Sequence, residues 1–163
     1  MSSILYEAGS IMLRMSKLTD YGTLVLAQLA SEAEDLRSAG QLAAATHIAR
    51  PTVSKLLKSL SRAGLVVSER GAHGGYALAR APEQISAAEI IDALEGPVAI
   101  TECCTVDSSC ELERYCRVGR AWQRINRSIR RSLQQVSLAD LQLDSEPVPG
   151  LDFKRDLTVS TVQ

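Results

Sequence analysis

The chain has 163 residues, 45% hydrophobic and only 4% aromatic, with 18 Lys and Arg against 19 Asp and Glu for a net charge of -1. That length suits one compact core, and the scarcity of aromatics favours helices rich in Ala and Leu over a sandwich of aromatic strands. The apolar stretch from Ile4 to Met15 is short and broken by Glu7 and Arg14, which excludes a membrane span or a signal peptide and predicts a cytoplasmic protein with no membrane partner.

Residues 1–11 carry no pattern and read as a flexible extension, or as sequence upstream of a true start at Met12. Leu18, Tyr21, Leu24, Val25 and Leu29 recur at helical spacing, with Ser16 or Thr19 as cap, and predict a first helix. Ser38 precedes a short helix over residues 40–46, and His47, Ile48 and Ala49 link it to a third helix that begins at Pro51, where a missing N–H costs nothing. Val53, Leu56, Leu57 and Leu60 form the buried stripe of that helix, and Gly64 ends it. Two short apolar runs, 65–67 and 76–78, flank Gly71, Gly74 and Gly75 and predict a β-hairpin with a glycine-rich tip.

Ser86 and Glu89 form a capping box and Ile85 staples onto Ile90, so a further helix runs to Leu94 before Gly96-Pro97 stops it. After a cysteine-rich segment, Val118, Ala121, Trp122, Ile125, Ile129, Leu133 and Val136 repeat at three and four residues, which predicts a long amphipathic helix amid six arginines. Its apolar stripe needs cover, either from the same helix of a second subunit or from its own domain. Ser137 caps a last short helix, and residues 144–163 read as a disordered tail. The expected organisation is a winged helix-turn-helix over 12–95, a cysteine segment over 96–117, and a dimerisation helix with a short C-terminal helix over 118–143.

Helix, turn, helix and hairpin are the order of a winged helix-turn-helix, a mainly α fold with a small β wing. Between Thr46 and Arg80 lie six basic residues and one acid, a concentration that the overall charge hides. The candidate DNA face comprises Arg50, Pro51, Thr52, Ser54, Lys55 and Lys58 on the helix, and Arg70, His73, Gly74 and Tyr76 on the hairpin. Arg50 and Lys55 suit guanine edges or phosphates, and the glycines let the backbone approach a duplex. The plainer readings are a solvated basic face and a helical hairpin that binds protein.

All four cysteines, Cys103, Cys104, Cys110 and Cys116, fall in one segment, and in a reducing compartment that points to metal or redox chemistry rather than disulfides. Cys104, Cys110 and Cys116 are separated by five residues each, unlike the Cys-x-x-Cys hooks of structural zinc, although zinc is the main competitor. Cys103 starts from the backbone beside Cys104 and has to turn sharply to share a site, so it reads as a spare or a redox accessory. The chain has no Cys-x-x-Cys, nucleophile elbow or phosphate loop and only two histidines, which argues against an enzyme.

Leu18-Thr19-Asp20-Tyr21, Ala63-Gly64-Leu65-Val66, Arg70-Gly71, Gly74-Gly75-Tyr76 and the three spaced cysteines together resemble the winged-helix iron-sulfur regulators that include the Isc and Suf cluster-assembly repressors and the nitric-oxide sensor NsrR. The resemblance spans about residues 12–143, and the run from Pro51 to Lys55 looks most like the Suf branch. It implies a homodimer on double-stranded DNA at an imperfect palindromic operator, with the long helix as interface. It also implies an iron-sulfur cluster, 2Fe-2S or 4Fe-4S, on Cys104, Cys110 and Cys116. The Isc-type histidine three residues after the last cysteine is replaced here by Gly119. The aspartate that NsrR uses matches Asp20, reaching across from the other subunit, and the plainer reading of Asp20 is an acid favoured at a helix start. The expected function is a repressor of cluster-assembly genes that senses iron-sulfur status, oxidants or nitric oxide. The alternatives are a zinc-stapled interaction protein and a nitric-oxide-responsive repressor of other genes.

Overall fold

The first helix, α1 (Lys17–Ser31), starts at Ser16, whose hydroxyl accepts the Leu18 N–H at 3.1 Å, and buries Val25, Leu26 and Leu29. In the computed structural model the described residues are 15–31, 35–104 and 116–143. Helix α2 (Ala39–Thr46) opens on a complete capping box, Ser38 with Gln41, which satisfies two N-terminal groups reciprocally. It closes at His47, whose left-handed backbone (φ 56°) turns the chain sharply into α3 (Arg50–Arg62). Pro51 occupies the second helical position rather than the first, and Ala49 supplies no side-chain cap.

The apolar stripe of α3 is fully interior, with Val53, Leu57 and Leu60 at 0% exposure and Leu56 at 2%. It meets α1, α2 and the inward residues Leu65, Val66, Ile85, Ile90 and Leu138 in one core. Burying each such side chain contributes roughly 1.5–3 kcal/mol. Gly64 adopts φ 72° just past α3, a conformation that favours glycine, and aims the chain into the hairpin.

The hairpin pairs β1 (Val66–Glu69) antiparallel with β2 (Gly75–Leu78), in the register Val66 to Leu78 through Glu69 to Gly75. Its free edge is tied to the helical part: Tyr76 exchanges backbone hydrogen bonds with Arg37, N–H to O at 2.8 Å and O from N–H at 2.9 Å. A 3₁₀ turn at Pro82–Gln84, absent from the periodicity reading, leads to α4 (Ala87–Leu94) and its expected Ser86 and Glu89 box.

A second 3₁₀ turn covers Glu102–Cys104, and α5 (Gly119–Gln135) and α6 (Leu138–Leu143) complete the chain's described part. The buried residue of α5 is Asn126, not a member of its apolar stripe. The helix lies on α4 by its polar side, where Arg130 holds Asp92 through two contacts of 3.0 and 2.5 Å. Val118, Trp122 and Ile125 remain 58%, 40% and 42% exposed while Ile129 and Leu133 are half-buried, so its own domain leaves the first part of that stripe uncovered. Leu24, a member of the apolar spacing that marks α1, is 52% exposed. It lines a groove of about 620 Å³ with Met15, Ile90, Ile91, Leu133 and Leu141. No helix among the described residues is long and apolar enough to cross a membrane.

Candidate nucleic-acid interface and cysteine segment

Burying one side of α3 decides what the other presents. Arg50, Pro51, Ser54, Lys55 and Lys58 are exposed and Thr52 half-exposed, on the face opposite the leucine stripe. No acidic side chain lies in the first turn, and the helix begins without a side-chain cap, so its N-terminal N–H groups and dipole are left to attract an anion. The wing carries Arg70 and His73, both exposed, at the tip of the hairpin.

The glycines of the tip serve the protein's own packing. A Cβ at Gly74 would collide with the Glu69 carbonyl, and one at Gly75 would meet the backbone of Arg37 at 2.9 Å. Tyr76 is half-buried against the core while its backbone pairs with Arg37. Arg80 also stands apart from the other cations. Its guanidinium bridges Glu89 at 2.8 Å and donates to the Gln84 carbonyl at 3.2 Å. Burial works to raise the Glu89 pKa, but hydrogen bonds from Ser86 and Arg80 outweigh it and hold the carboxyl below its ordinary value.

The cysteine segment has described residues at both of its ends. Cys103 and Cys104 lie in the 3₁₀ turn, and their sulfurs stand 3.1 and 3.2 Å from the single hydroxyl of Thr101. The two thiols therefore converge on one side of the turn, although they start from adjacent residues. Cys116 precedes α5, with its sulfur 3.4 Å from the position that a Cβ on Gly119 would take. All three are free and half-buried.

Among the described residues no three His, Cys, Asp or Glu side chains gather in a metal-binding arrangement, while Cys110 lies outside them. The donor chemistry nevertheless fits a thiophilic group, since half-buried sulfurs free of disulfide close the segment on either side. Asp20 is exposed on α1, on the border of the apolar groove and away from any described cysteine contact.

Three contacts in this region escape periodicity. Gln123 donates to the Cys103 carbonyl at 3.3 Å, and Asn126 accepts the Ile100 N–H at 3.2 Å while donating to the Val98 carbonyl at 3.1 Å. These amides sit beside the apolar stripe of α5, where a hydrophobicity pattern registers only polar residues.

A helix-turn-helix with its second helix basic on the outside, followed by a hairpin with cations at the tip, defines a winged-helix DNA-binding regulator. The chain belongs to the Rrf2 family, described as iron-dependent transcriptional regulators, which it matches over residues 15–144. It is 30% identical over 138 residues to Protein rrf2 of Nitratidesulfovibrio vulgaris, covering 84% of this chain and 92% of that one. Its fold is similar to that of CymR (YrzC), the global cysteine regulator of B. subtilis, at a TM-score of 0.63 with 30% identity over 82% of this chain and 99% of the other. T. potens IscR is similar to the same degree, with a TM-score of 0.61 and 31% identity over 82% of this chain and 89% of that one. The protein is thus a transcriptional regulator and not an enzyme. The likenesses establish the family without singling out its Isc, Suf or nitric-oxide branch.

Proposed function

We propose that the protein is a homodimeric repressor that reads an imperfect palindromic operator and senses iron-sulfur status, oxidants or nitric oxide through a cluster on Cys104, Cys110 and Cys116. The observation that carries the reading is that half-buried free thiols stand at both ends of the segment, Cys104 in a turn whose Cys103 carbonyl is held by Gln123 of α5 and Cys116 just before the start of that helix. Similarity to CymR and to IscR is equal in degree, so the choice of a cluster rests on this chain's own spaced thiols. A bound cluster supplies a redox-active centre that oxidants and nitric oxide attack.

Arg50, Thr52, Ser54, Lys55 and Lys58 enter the major groove, while Arg70 and His73 of the wing reach the adjacent backbone. The exposed stripe of Val118, Trp122 and Ile125 supports pairing of α5 with its counterpart, because an uncovered face of that kind is costly on a monomer. Asp20, at the edge of the apolar groove, is the candidate fourth ligand from the second subunit. Suf-type control of cluster-assembly genes is the target class we favour.

The test is anaerobic purification followed by iron and acid-labile sulfide analysis, light scattering for mass, and operator binding with and without the cluster. A brown dimer whose DNA affinity changes on cluster loss supports the reading. A colourless zinc protein would overturn the cluster and leave a zinc-stapled member of the regulator family.

A further inference from the structure

We infer that Gln123 and Asn126 are positioning residues that fasten the Cys103 and Cys104 turn to α5, so that the state of the thiols is transmitted to that helix. The inference rests on the cluster reading only for the signal it transmits. Its basis is geometric. Gln123, Asn126 and Arg130 are spaced three and four residues apart and share one face of α5. Gln123 holds the Cys103 carbonyl at 3.3 Å, and Asn126 holds residues 98 and 100 through both ends of its amide at 3.1 and 3.2 Å. Arg130 pins the same face to Asp92 of α4.

Asn126 is 9% exposed, the buried residue of an otherwise open helix. A buried amide with both donor and acceptor engaged specifies a unique fit, since any slip of the backbone it holds leaves a polar group unpaired. The chain from Val98 to Cys104 therefore lies on α5 in a single register. Thr101, in the middle of this clamped stretch, presents its hydroxyl to both sulfurs. A rearrangement at the thiols must either carry α5 with it or break these hydrogen bonds. The exposed apolar residues Val118, Trp122 and Ile125 lie on the adjoining face of α5, so a tilt of the helix is delivered to whatever covers them.

The experiment uses the full-length protein with Gln123→Ala and Asn126→Ala, and Asn126→Asp as an isosteric variant that keeps the acceptor for the Ile100 N–H but sets an acceptor against the Val98 carbonyl. In metal-free protein, site-resolved alkylation with iodoacetamide measures how tightly the turn is held. Labelling of Cys103 and Cys104 rises about threefold to tenfold in the alanine variants, the factor expected for losing a neutral hydrogen bond. In anaerobically loaded protein, the cluster is lost faster in air and the ratio of DNA affinities with and without it shrinks toward one. A merely structural role instead lowers the melting temperature and weakens DNA binding equally in both states. Unchanged alkylation and cluster lifetime in folded Gln123→Ala and Asn126→Asp protein would overturn the inference. Faster alkylation in a protein that takes up neither iron nor sulfide keeps the clamp and sinks the cluster.

Discussion

The hydroxyl of Thr19 donates to the carboxylate of Glu95, which also accepts the Ser16 N–H at 2.8 Å, so the start of α1 is fastened to the residue that ends α4. The Thr19 hydrogen bond, ahead of an opposing contribution from burial, and the contacts from Ser16 hold the Glu95 carboxyl below the usual glutamate range. A folded-state pKa below the unfolded value means that this stabilisation is present above the ordinary range and is lost as pH falls through the folded value. Thr19→Val should cost about 0.5–1 kcal/mol near neutrality, the low end for a hydrogen bond because the carboxylate is exposed and screened. It should also flatten the acid side of the stability curve. Urea unfolding at stepped pH checks both, and an identical acid slope in the variant would remove Glu95 from the account.

The same comparison of space and backbone predicts opposite outcomes for two glycines. A Cβ at Gly75 would stand 2.9 Å from three backbone atoms of Arg37, whereas at Gly40 the nearest atom is the Ser38 hydroxyl at 3.8 Å. Gly75→Ala should destabilise by about 1–3 kcal/mol, as overpacking does, and loosen the wing from the helical part. Gly40→Ala, inside α2, should be neutral or stabilising by up to about 1 kcal/mol. Thermal melts with hydrogen exchange at Tyr76 and Arg37 distinguish the two effects.

Sequence pattern located elements well where one physical cause dominates. The capping box at Ser86 stands as its spacing implies, and the leucine stripe of α3 is buried throughout. Periodicity marked α1 without showing that Leu24 stays exposed, because a helix stripe records only that a face is apolar, not that the same chain covers it. The long-range pairing of Arg37 with Tyr76 and the amide clamp of α5 left no local signal, since each joins polar groups distant in sequence. For the cysteines, spacing carried no sign of the convergence of Cys103 and Cys104 on Thr101.

Lys55 and Arg70 are exposed on the recognition helix and the wing respectively. Lys55→Ala and Arg70→Ala should each weaken operator binding while leaving the oligomeric state and melting temperature unchanged. Loss of a base-edge contact costs roughly 1–3 kcal/mol and relaxes specificity at one position. Loss of a phosphate contact lowers affinity for all sequences and reduces the salt slope by about one unit. Competition with operator variants across a salt series separates these outcomes. Wild-type affinity and salt slope in both variants would show that this face does not carry the DNA.

Substitution of the donor residues tests the cluster reading one ligand at a time. Cys104→Ala and Cys116→Ala each remove a thiolate from one end of the segment, and Cys110→Ala removes one between them in sequence, so each should abolish or severely destabilise the cluster. Asp20 stands on a different element, exposed at the border of a groove lined by Leu24, Ile91 and Leu133. If it reaches a cluster in a second subunit, Asp20→Ala should leave the three thiolates in place. It should nonetheless change the visible and magnetic spectra and shorten the cluster's lifetime in air. Mixed dimers sharpen the assignment. A subunit with Asp20→Ala and intact cysteines, paired with one that has Asp20 and Cys104→Ala, should assemble one cluster with wild-type spectra if the ligand is donated across the interface. The same pair should show the altered spectra if the ligand comes from the same chain. Wild-type spectra and lifetime in the Asp20→Ala homodimer would reduce Asp20 to an acid that favours the start of α1.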